Sequence, residues 1–206
     1  MKTNFLVFIF LAIIMLGCKK EDNNSPDPDP GTEITIDSKP SFQGTINGKT
    51  FSYDQTNSVS VQGASLGIAY YPDTSEFTYN AHLSSLDFDT TFISIYIGTL
   101  YLPGGGSPTN EEFSAFFKTG TLPYSANLLN GIEIRYWDED NTMFSTAFGT
   151  ANQNNSTFMF DELKEEPFYN RMNIKFKASF DCYLYDESGN FITLTNGVYV
   201  NYFANM

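Results

Sequence analysis

Residues 174–184, IKFKASFDCYL, decide the fold of this chain. Apolar and polar side chains alternate along this stretch. The apolar ones are Ile174, Phe176, Ala178, Phe180, Cys182 and Leu184. A period of two is typical of a β-strand with one buried face and one solvated face. The same alternation recurs at 77–83, 93–97 and 132–136, and it predicts antiparallel strands throughout the second half and much of the first.

Turn residues separate these strands. Asn47-Gly48 is the signature of a type I′ hairpin between residues 42–46 and 49–53. Residues 138–141 are predicted to connect strands 131–137 and 142–148, and residues 187–190 to connect strands 172–185 and 191–203. Short strands with turns at this spacing predict one antiparallel β-sandwich domain over residues 41–206.

One short helix is predicted within the all-β domain. Thr109 and Glu112 have the spacing of a capping box, with Thr109 as the N-cap. One face of the helix is apolar and comprises Phe113, Phe116 and Phe117. Gly120 is predicted to end the helix as its C-cap. We expect the helix to cover one end of the core.

The amino terminus has the pattern of a secretory signal. Lys2 precedes a run of twelve apolar residues at 5–16, which is too short to span a bilayer as a helix. Met15-Leu16-Gly17-Cys18 follows, and it resembles the lipobox of bacterial lipoproteins. That resemblance implies a signal peptide over residues 1–17 and lipidation of Cys18, which anchors the chain to a membrane. The alternative is an ordinary signal peptide with a chance cysteine.

The residues after Cys18 indicate on which side of the membrane the protein lies. Lys20, Glu21 and Asp22 resemble the surface-export signal of Bacteroidota lipoproteins, which implies an outer-membrane protein on the extracellular face. The alternative is a solvated charge run and a periplasmic location. Pro26, Pro28 and Pro30 alternate with Asp27 and Asp29, which predicts an extended, disordered tether over residues 18–40.

The resemblance extends beyond the signal peptide. The motifs F-x-G-x-x-N-G-K-x-F at 42–51, F-x-C-x-L-Y-D-x-x-G at 180–189 and L-T-N-G-x-Y at 194–199 are similar to the first and last hairpins of small uncharacterised surface lipoproteins of Bacteroidota. The resemblance implies a location and a β fold. It carries no established activity.

Composition excludes several classes of function. The chain has 24 acidic and 11 basic residues, a net charge of −13, which argues against a nucleic-acid partner. It has one histidine and two cysteines, which argues against a histidine-based or cysteine-rich metal site. Cys182 lies on the apolar face of its strand and is expected to be a buried, unreactive thiol.

Two hydrolase hypotheses arise from the residue pattern. GASLG at 63–67 matches a nucleophile elbow with Ser65, and His82 is the one histidine available as its base. The residues that follow are β-like and reach Pro72, so no helix is predicted there, and His82 is expected to face solvent. Paired carboxylates suited to glycoside hydrolysis are present, and nothing identifies two that face each other across a cleft. These are Asp87/Asp89, Glu111/Glu112, Asp138/Glu139/Asp140 and Glu165/Glu166. We expect no enzymatic activity.

Aromatic residues are the strongest residue-level signal for binding, since the chain has 20 Phe, 13 Tyr and 1 Trp. The candidates for exposure are Tyr70, Tyr71, Tyr96, Tyr124, Trp137, Tyr183 and Tyr199. The candidates for ligand binding are Tyr136, Trp137, Tyr70 and Tyr71, because flat rings with a polar edge suit sugars and protein partners. The alternative is that cross-strand pairing explains the aromatics.

The turn at 138–141 is rich in oxygen ligands. Asp138, Asp140 and Asn141 are a candidate structural calcium site, and a simple hairpin turn is the alternative. No other cofactor is expected. The sequence favours a non-catalytic binding module for a glycan or envelope component. An accessory subunit that binds a partner protein in an outer-membrane complex is the second hypothesis.

Overall fold

Antiparallel strands make up most of the molecule, as the alternation predicts. The computed structural model describes residues 33–54, 60–85, 92–125, 131–169 and 171–205. Within them the fold is all-β and sandwich-like, with one short α-helix.

Eleven strands, one α-helix and one 3₁₀ segment follow each other along the described chain. They are β1 (Ser41–Ile46), β2 (Lys49–Asp54), β3 (Ser60–Tyr71), β4 (Thr74–Ser85), β5 (Phe92–Pro103), α1 (Asn110–Phe116), β6 (Gly120–Thr121), β7 (Ile132–Trp137), β8 (Met143–Ser145), the 3₁₀ segment (Ala147–Asn152), β9 (Thr157–Phe168), β10 (Arg171–Tyr185) and β11 (Phe191–Ala204).

The strands form one continuous sheet that folds over on itself. Its order is β2-β1-β11-β10-β8-β7-β5-β4-β3, and β9 pairs with β10 and with β6. A single residue pair, Tyr185 with Ser145, joins β10 to β8. The fold-over brings β11 against β4, where the Tyr199 hydroxyl donates to the Ala81 carbonyl at 3.3 Å. Two facing layers result, one centred on β10 and β11 and the other on β4 and β5.

The core lies between these layers and is rich in aromatic rings. All six apolar residues of the 174–184 stretch are buried, as predicted. Phe176 stacks on Phe203 with ring centroids 4.6 Å apart, and Phe203 stacks on Phe117 at 4.9 Å. The prediction that Tyr199 is exposed is wrong, because its side chain is fully buried between the layers.

A bulge on β11 explains the motif at 194–199. Phe180 pairs with Gly197 and Cys182 pairs with Leu194, so β11 has an extra residue opposite Asp181. Asn196 adopts a φ of 53°, and its N–H donates to Asp181 Oδ1 at 2.8 Å. A Cβ on Gly197 would lie 2.7 Å from the Phe180 ring, so this position requires glycine. The motif therefore has a structural role.

The predicted first hairpin is confirmed. Ile46 pairs with Lys49 across a two-residue turn, and Asn47 and Gly48 have φ values of 48° and 81°. Positive φ at both central positions defines a type I′ turn. This turn sets the register that points Phe42 into the core, where it is fully buried.

The predicted helix is confirmed at its start and not at its end. Glu112 N–H donates to Thr109 Oγ1 at 3.1 Å, and Thr109 N–H donates to a Glu112 carboxylate oxygen at 2.9 Å, which completes the capping box. The helix ends at Phe117, which is extended. Gly120 is not the C-cap: it begins β6 and pairs with Phe160. Pairing with β9 explains the early end of the helix.

The strand predicted over 142–148 is shorter in the structure. β8 ends at Ser145, and the 3₁₀ segment follows. Gly149 in this segment lies against the Tyr185 ring, so the chain turns away from the sheet to pack on β10.

Several predictions concern residues outside the described ones. The signal peptide at 1–17, Cys18, the residues Lys20, Glu21 and Asp22, and the tether up to residue 32 belong to this group. The described chain begins at Glu33, and Asp37 Oδ1 accepts a hydrogen bond from Lys164 at 2.8 Å. In the part of the chain that is described, no helix has the length and apolar character to span a membrane.

Candidate functional site

A cleft of about 340 Å³ opens between two hairpins at one end of the molecule. The β1–β2 hairpin contributes one side, and the β7–β8 hairpin contributes the other. The apolar lining residues are Ile46, Phe51, Tyr136, Phe144 and Ile192. The polar ones are Asn47, Lys49, Asp138, Glu139 and Asp140. The cleft therefore combines an apolar, partly aromatic base with a charged rim.

The base of the cleft is continuous with the core. Tyr136 and Phe144 are paired across β7 and β8 and are almost fully buried. Phe51 stacks on Tyr53 with ring centroids 6.3 Å apart, and Tyr53 stacks on Phe42 at 6.2 Å. These packed rings hold the exposed edge of the base in one place, which pre-organises it for a ligand.

In the part of the chain that is described, the rim carries one cation and three carboxylates. Lys49 Nζ lies 3.8 Å from a Glu139 carboxylate oxygen, and both side chains are mostly exposed, at 68% and 72%. The same ammonium lies 5.1 Å from the centroid of the Phe51 ring. Lys49 thus connects the aromatic base to the acidic turn across the mouth of the cleft.

Asp138 organises the acidic turn. Its Oδ1 accepts hydrogen bonds from the N–H groups of Asp140 at 3.0 Å and Thr142 at 2.8 Å. Asn141 adopts a φ of 60° at the position that closes the turn. These are the hydrogen bonds of an Asx turn, so the predicted hairpin at 138–141 is confirmed.

The turn at Asp186 has the same geometry. Asp186 Oδ1 accepts from the N–H groups of Ser188 at 2.9 Å and Asn190 at 2.8 Å, and Gly189 has the positive φ. The hydrogen bonds that its backbone N–H groups donate to Asp186 match those of the Asp138 turn residue for residue. Turn formation therefore accounts for Asp138 and Asn141 without a metal ion.

Calcium binding at Asp138, Asp140 and Asn141 stays a prediction. Among the described residues, no group of three or more His, Cys, Asp or Glu side chains is placed to hold a metal ion. Asn side chains and carbonyl oxygens also bind calcium, so the ion remains a condition to vary in binding experiments.

Burial and charge act together on the Tyr136 hydroxyl. Burial raises the pKa of Tyr136, and the nearby Tyr53, Asp138 and Glu139 raise it further. Tyr136 therefore keeps its proton at physiological pH and offers the cleft a neutral hydroxyl, which can donate and accept hydrogen bonds.

The predicted binding residues do not form one site. Tyr136 lines the cleft, whereas Trp137 is its neighbour on β7 and lies on the other face of the sheet. Tyr70 and Tyr71 are exposed, as predicted, at 65% and 55%. They lie at the far end of β4, because Tyr71 pairs with Thr74 while the partner of Tyr136, Ile93, pairs with Leu83. Thr74 and Leu83 are nine residues apart along β4. At about 3.3 Å per residue, the Tyr71 end of this strand lies about 30 Å from the Tyr136 end.

The outer face of β7 carries a buried carboxylate that the sequence analysis missed. Glu133 is only 4% exposed, and it is bound by the Arg135 guanidinium and by Ser145 Oγ, the latter at 2.8 Å. Arg135 lies 4.2 Å above the Tyr96 ring. The hydrogen bond to Glu133 raises the pKa of Arg135. The cluster neutralises a buried charge and has the character of a structural ion pair.

The nucleophile elbow is not formed. β3 runs without interruption through residues 63–67, and Ser65 pairs with Asn80 as an ordinary strand residue. His82 is half-buried, whereas we predicted it to face solvent, and burial lowers its pKa. The backbone at Ser65 lacks the strand-to-helix turn that exposes a catalytic serine.

Each carboxylate group that the structure describes has at least one member with a structural partner. Glu112 caps α1, Asp138 organises its turn, and Glu166 lies 3.7 Å from Lys164. Asp87 and Asp89 lie outside the described residues.

Sequence reasoning missed Lys49 and Phe51 as site residues. Both follow the Asn47-Gly48 turn, and the turn itself was the available signal. That this hairpin and the Asp138 turn meet at one end of the molecule is a consequence of the fold-over of the sheet. No family model, curated protein or solved structure matches this chain.

Proposed function

We propose that this chain is a lipid-anchored protein of the bacterial cell envelope that binds a ligand without catalysis in the cleft between its two hairpins. The anchor is Cys18, and the residues Lys20, Glu21 and Asp22 direct the protein to the outer face of the outer membrane. This part of the proposal rests on the sequence motifs alone.

The ligand class that the cleft favours is a neutral glycan. Sugar rings present apolar C–H faces that stack on aromatic side chains, and hydroxyl groups that pair with amides and carboxylates. Phe51, which is only partly buried, offers the first kind of contact. Asn47, Glu139 and Asp140 offer the second. This pairing of an aromatic base with a polar rim is the observation that carries the proposal.

Charge argues against an anionic ligand. The described residues give the rim three carboxylates and one cation, and that cation, Lys49, is already paired with Glu139. An anionic envelope polymer would be repelled unless divalent cations bridged the two surfaces.

A thermal-shift screen tests the proposal. The full chain with Cys18→Ala is heated with neutral and anionic glycans, each with calcium or with EDTA. A ligand at about 100 times its Kd stabilises the folded state by about 2.7 kcal/mol, which raises the Tm measurably. We expect a neutral glycan to raise the Tm. A calcium shift without glycan would support the metal prediction at Asp138.

A matched pair of variants locates the binding site. Glu139 and Glu187 occupy equivalent positions in two turns of the same geometry, so Glu139→Ala and Glu187→Ala remove the same charge from the same kind of turn. We expect Glu139→Ala alone to weaken glycan binding, measured by calorimetry. Equal affinities for the two variants would place the ligand outside the cleft and overturn the proposal.

The edge of β3 favours a second candidate, an accessory subunit that binds a partner protein. β3 pairs with β4 on one side, and no other described strand pairs with it. Its twelve residues include no charged side chain, and Ile68, Tyr70 and Tyr71 are exposed. An open, uncharged edge is suited to strand addition by a partner.

Photo-crosslinking on intact cells distinguishes the two candidates. A photoreactive amino acid replaces Tyr71 at the β3 edge, or Tyr169, which is exposed on the β9–β10 turn, as the control. A discrete protein adduct from position 71 alone would favour the accessory subunit. Adducts at neither position, together with a glycan Tm shift, would favour the binding module.

A further inference from the structure

We propose that a separate cavity beside α1 binds the apolar chain of an anionic amphiphile, with Lys118 contacting its carboxylate. The cavity has a volume of about 240 Å³ and lies between the end of α1 and strand β5. It does not depend on the function proposed for the cleft.

The described lining of the cavity is mainly apolar, and its one uncharged polar side chain is that of Thr99. Ile97, Phe116 and Leu122 supply its apolar side chains. Gly98 and Gly131 contribute only backbone, and the Gly98 N–H donates to the Gly131 carbonyl at 2.9 Å. Because these two backbone groups bond to each other, they make little demand on a ligand for hydrogen bonds. An aliphatic chain therefore fits this wall better than a polar group.

The shape of the wall is held by close backbone packing. A Cβ on Gly131 would lie 2.4 Å from the Pro123 carbonyl oxygen, so this position requires glycine. Ile132 N–H donates to that same carbonyl at 2.9 Å. These contacts fix the segment that follows Leu122 against the start of β7, so the cavity is preformed.

Among the described residues that line the cavity, Lys118 is the one that carries a charge. Its side chain is exposed, and no hydrogen bond or ion pair joins it to another residue within the described ranges. Lys49 and Lys164, by contrast, each lie within 4 Å of a carboxylate: 3.8 Å for Lys49 and 2.8 Å for Lys164. An exposed ammonium that has no partner among the described residues, beside a mainly apolar wall, complements a ligand with an apolar chain and an anionic head.

The cavity beside α1 and the cleft between the hairpins lie at opposite ends of strand β7. Ile97 pairs with Ile132 at the start of β7, whereas the cleft lies beyond Tyr136 at its other end. Occupation of one site therefore leaves the other accessible, and the two can be tested independently.

Calorimetric titration of the full chain with Cys18→Ala tests the proposal. The probes are saturated carboxylates of increasing length, kept below their micellar concentrations, and the alcohols of equal length. We expect each added methylene to tighten binding about fourfold until the cavity is filled. We expect Lys118→Gln to weaken carboxylate binding by up to about fivefold and to leave alcohol binding unchanged.

Two control variants and an NMR experiment test whether binding depends on Lys118 and on the cavity. Lys118→Arg should retain carboxylate affinity, and Lys39→Gln, which removes an exposed lysine elsewhere, should not change it. Nuclear Overhauser effects should connect the alkyl chain to the methyl groups of Ile97 and Leu122. The proposal is overturned if no carboxylate binds, if Lys118→Gln behaves as Lys39→Gln does, or if the alkyl chain contacts other methyl groups.

Discussion

Gln153 completes the edge of β10 by bonding both backbone groups of Tyr183. Its Nε2 donates to the Tyr183 carbonyl at 2.6 Å, and its Oε1 accepts from the Tyr183 N–H at 3.1 Å. β9 pairs with β10 only as far as Asp181, and β8 pairs with it only at Tyr185. One side-chain amide thus replaces the missing strand at the point where the two layers join.

Replacing Gln153 should destabilise the fold. Gln153→Ala leaves two partly buried backbone groups without partners, and we expect a loss of about 1–3 kcal/mol in the free energy of unfolding. Urea denaturation monitored by circular dichroism measures it. Asn154→Ala, an exposed neighbour, is the control, and equal losses for the two variants would show that the amide has no such role.

Gly149 should tolerate no side chain while Tyr185 is present. An ideal Cβ at Gly149 would lie 2.0 Å from the Tyr185 ring. We expect Gly149→Ala to destabilise the protein by about 1–3 kcal/mol, because the ring must move. Combining it with Tyr185→Leu should recover part of that loss. A double-mutant cycle measures the coupling, and strictly additive effects would contradict the contact.

His82 should make stability fall as the pH decreases below about 6.5. Burial lowers the pKa of folded His82 from its ordinary value of 6.5, so the unfolded chain takes up the proton first. Because it is the one histidine in the chain, its imidazole resonances need no assignment by mutation. NMR titration should give a pKa below 6.5, and His82→Gln should flatten this part of the stability profile. A pKa at or above 6.5 would refute the prediction.

Cys182 should be unreactive in the native protein. Burial raises the pKa of its thiol, so the reactive thiolate is scarce at neutral pH as well as inaccessible. In the Cys18→Ala chain it is the one remaining cysteine. We expect a chromogenic disulfide reagent to label it in denaturant and not under native conditions. Rapid labelling of the folded chain would contradict the buried position.

The localisation motifs, which are the lipobox at 15–18 and the export signal at 20–22, make two separable predictions. Cys18→Ala should move the protein out of the membrane fraction, because it removes the thiol that carries the lipid. Replacing Lys20, Glu21 and Asp22 with Ala should retain membrane attachment and abolish protease accessibility on whole cells. Unchanged accessibility would remove the basis for the export signal.

Local signals were sufficient for the hairpins and the helix start. A type I′ turn needs positive φ at both central positions, and few residues other than Asn and Gly adopt it. The dipeptide Asn47-Gly48 is therefore enough to predict the turn type. The capping box satisfies its own backbone groups within four residues. Neither feature depends on the rest of the fold.

Longer-range contacts account for the errors. Gly120 can adopt the backbone conformation that a helix C-cap needs, but in the structure it pairs with β9 and belongs to β6. Tyr199 has the polar edge of an exposed ring, but its hydroxyl finds the Ala81 carbonyl of the opposite layer. In both cases the competing partner is remote in sequence. The same reason explains why Lys49 was not associated with Glu139.

The sequence by itself determined the strand periodicity, the turn chemistry, the helix cap and the localisation motifs, because each depends on residues that are close neighbours along the chain. Only the tertiary structure decided which hairpins meet at the cleft, which aromatic residues are buried, and where a lysine lies beside an apolar cavity. The physical reason is the fold-over of one continuous sheet, which brings β11 against β4 and two distant turns to the same end of the molecule. Register and layer packing, rather than local pattern, create both proposed sites.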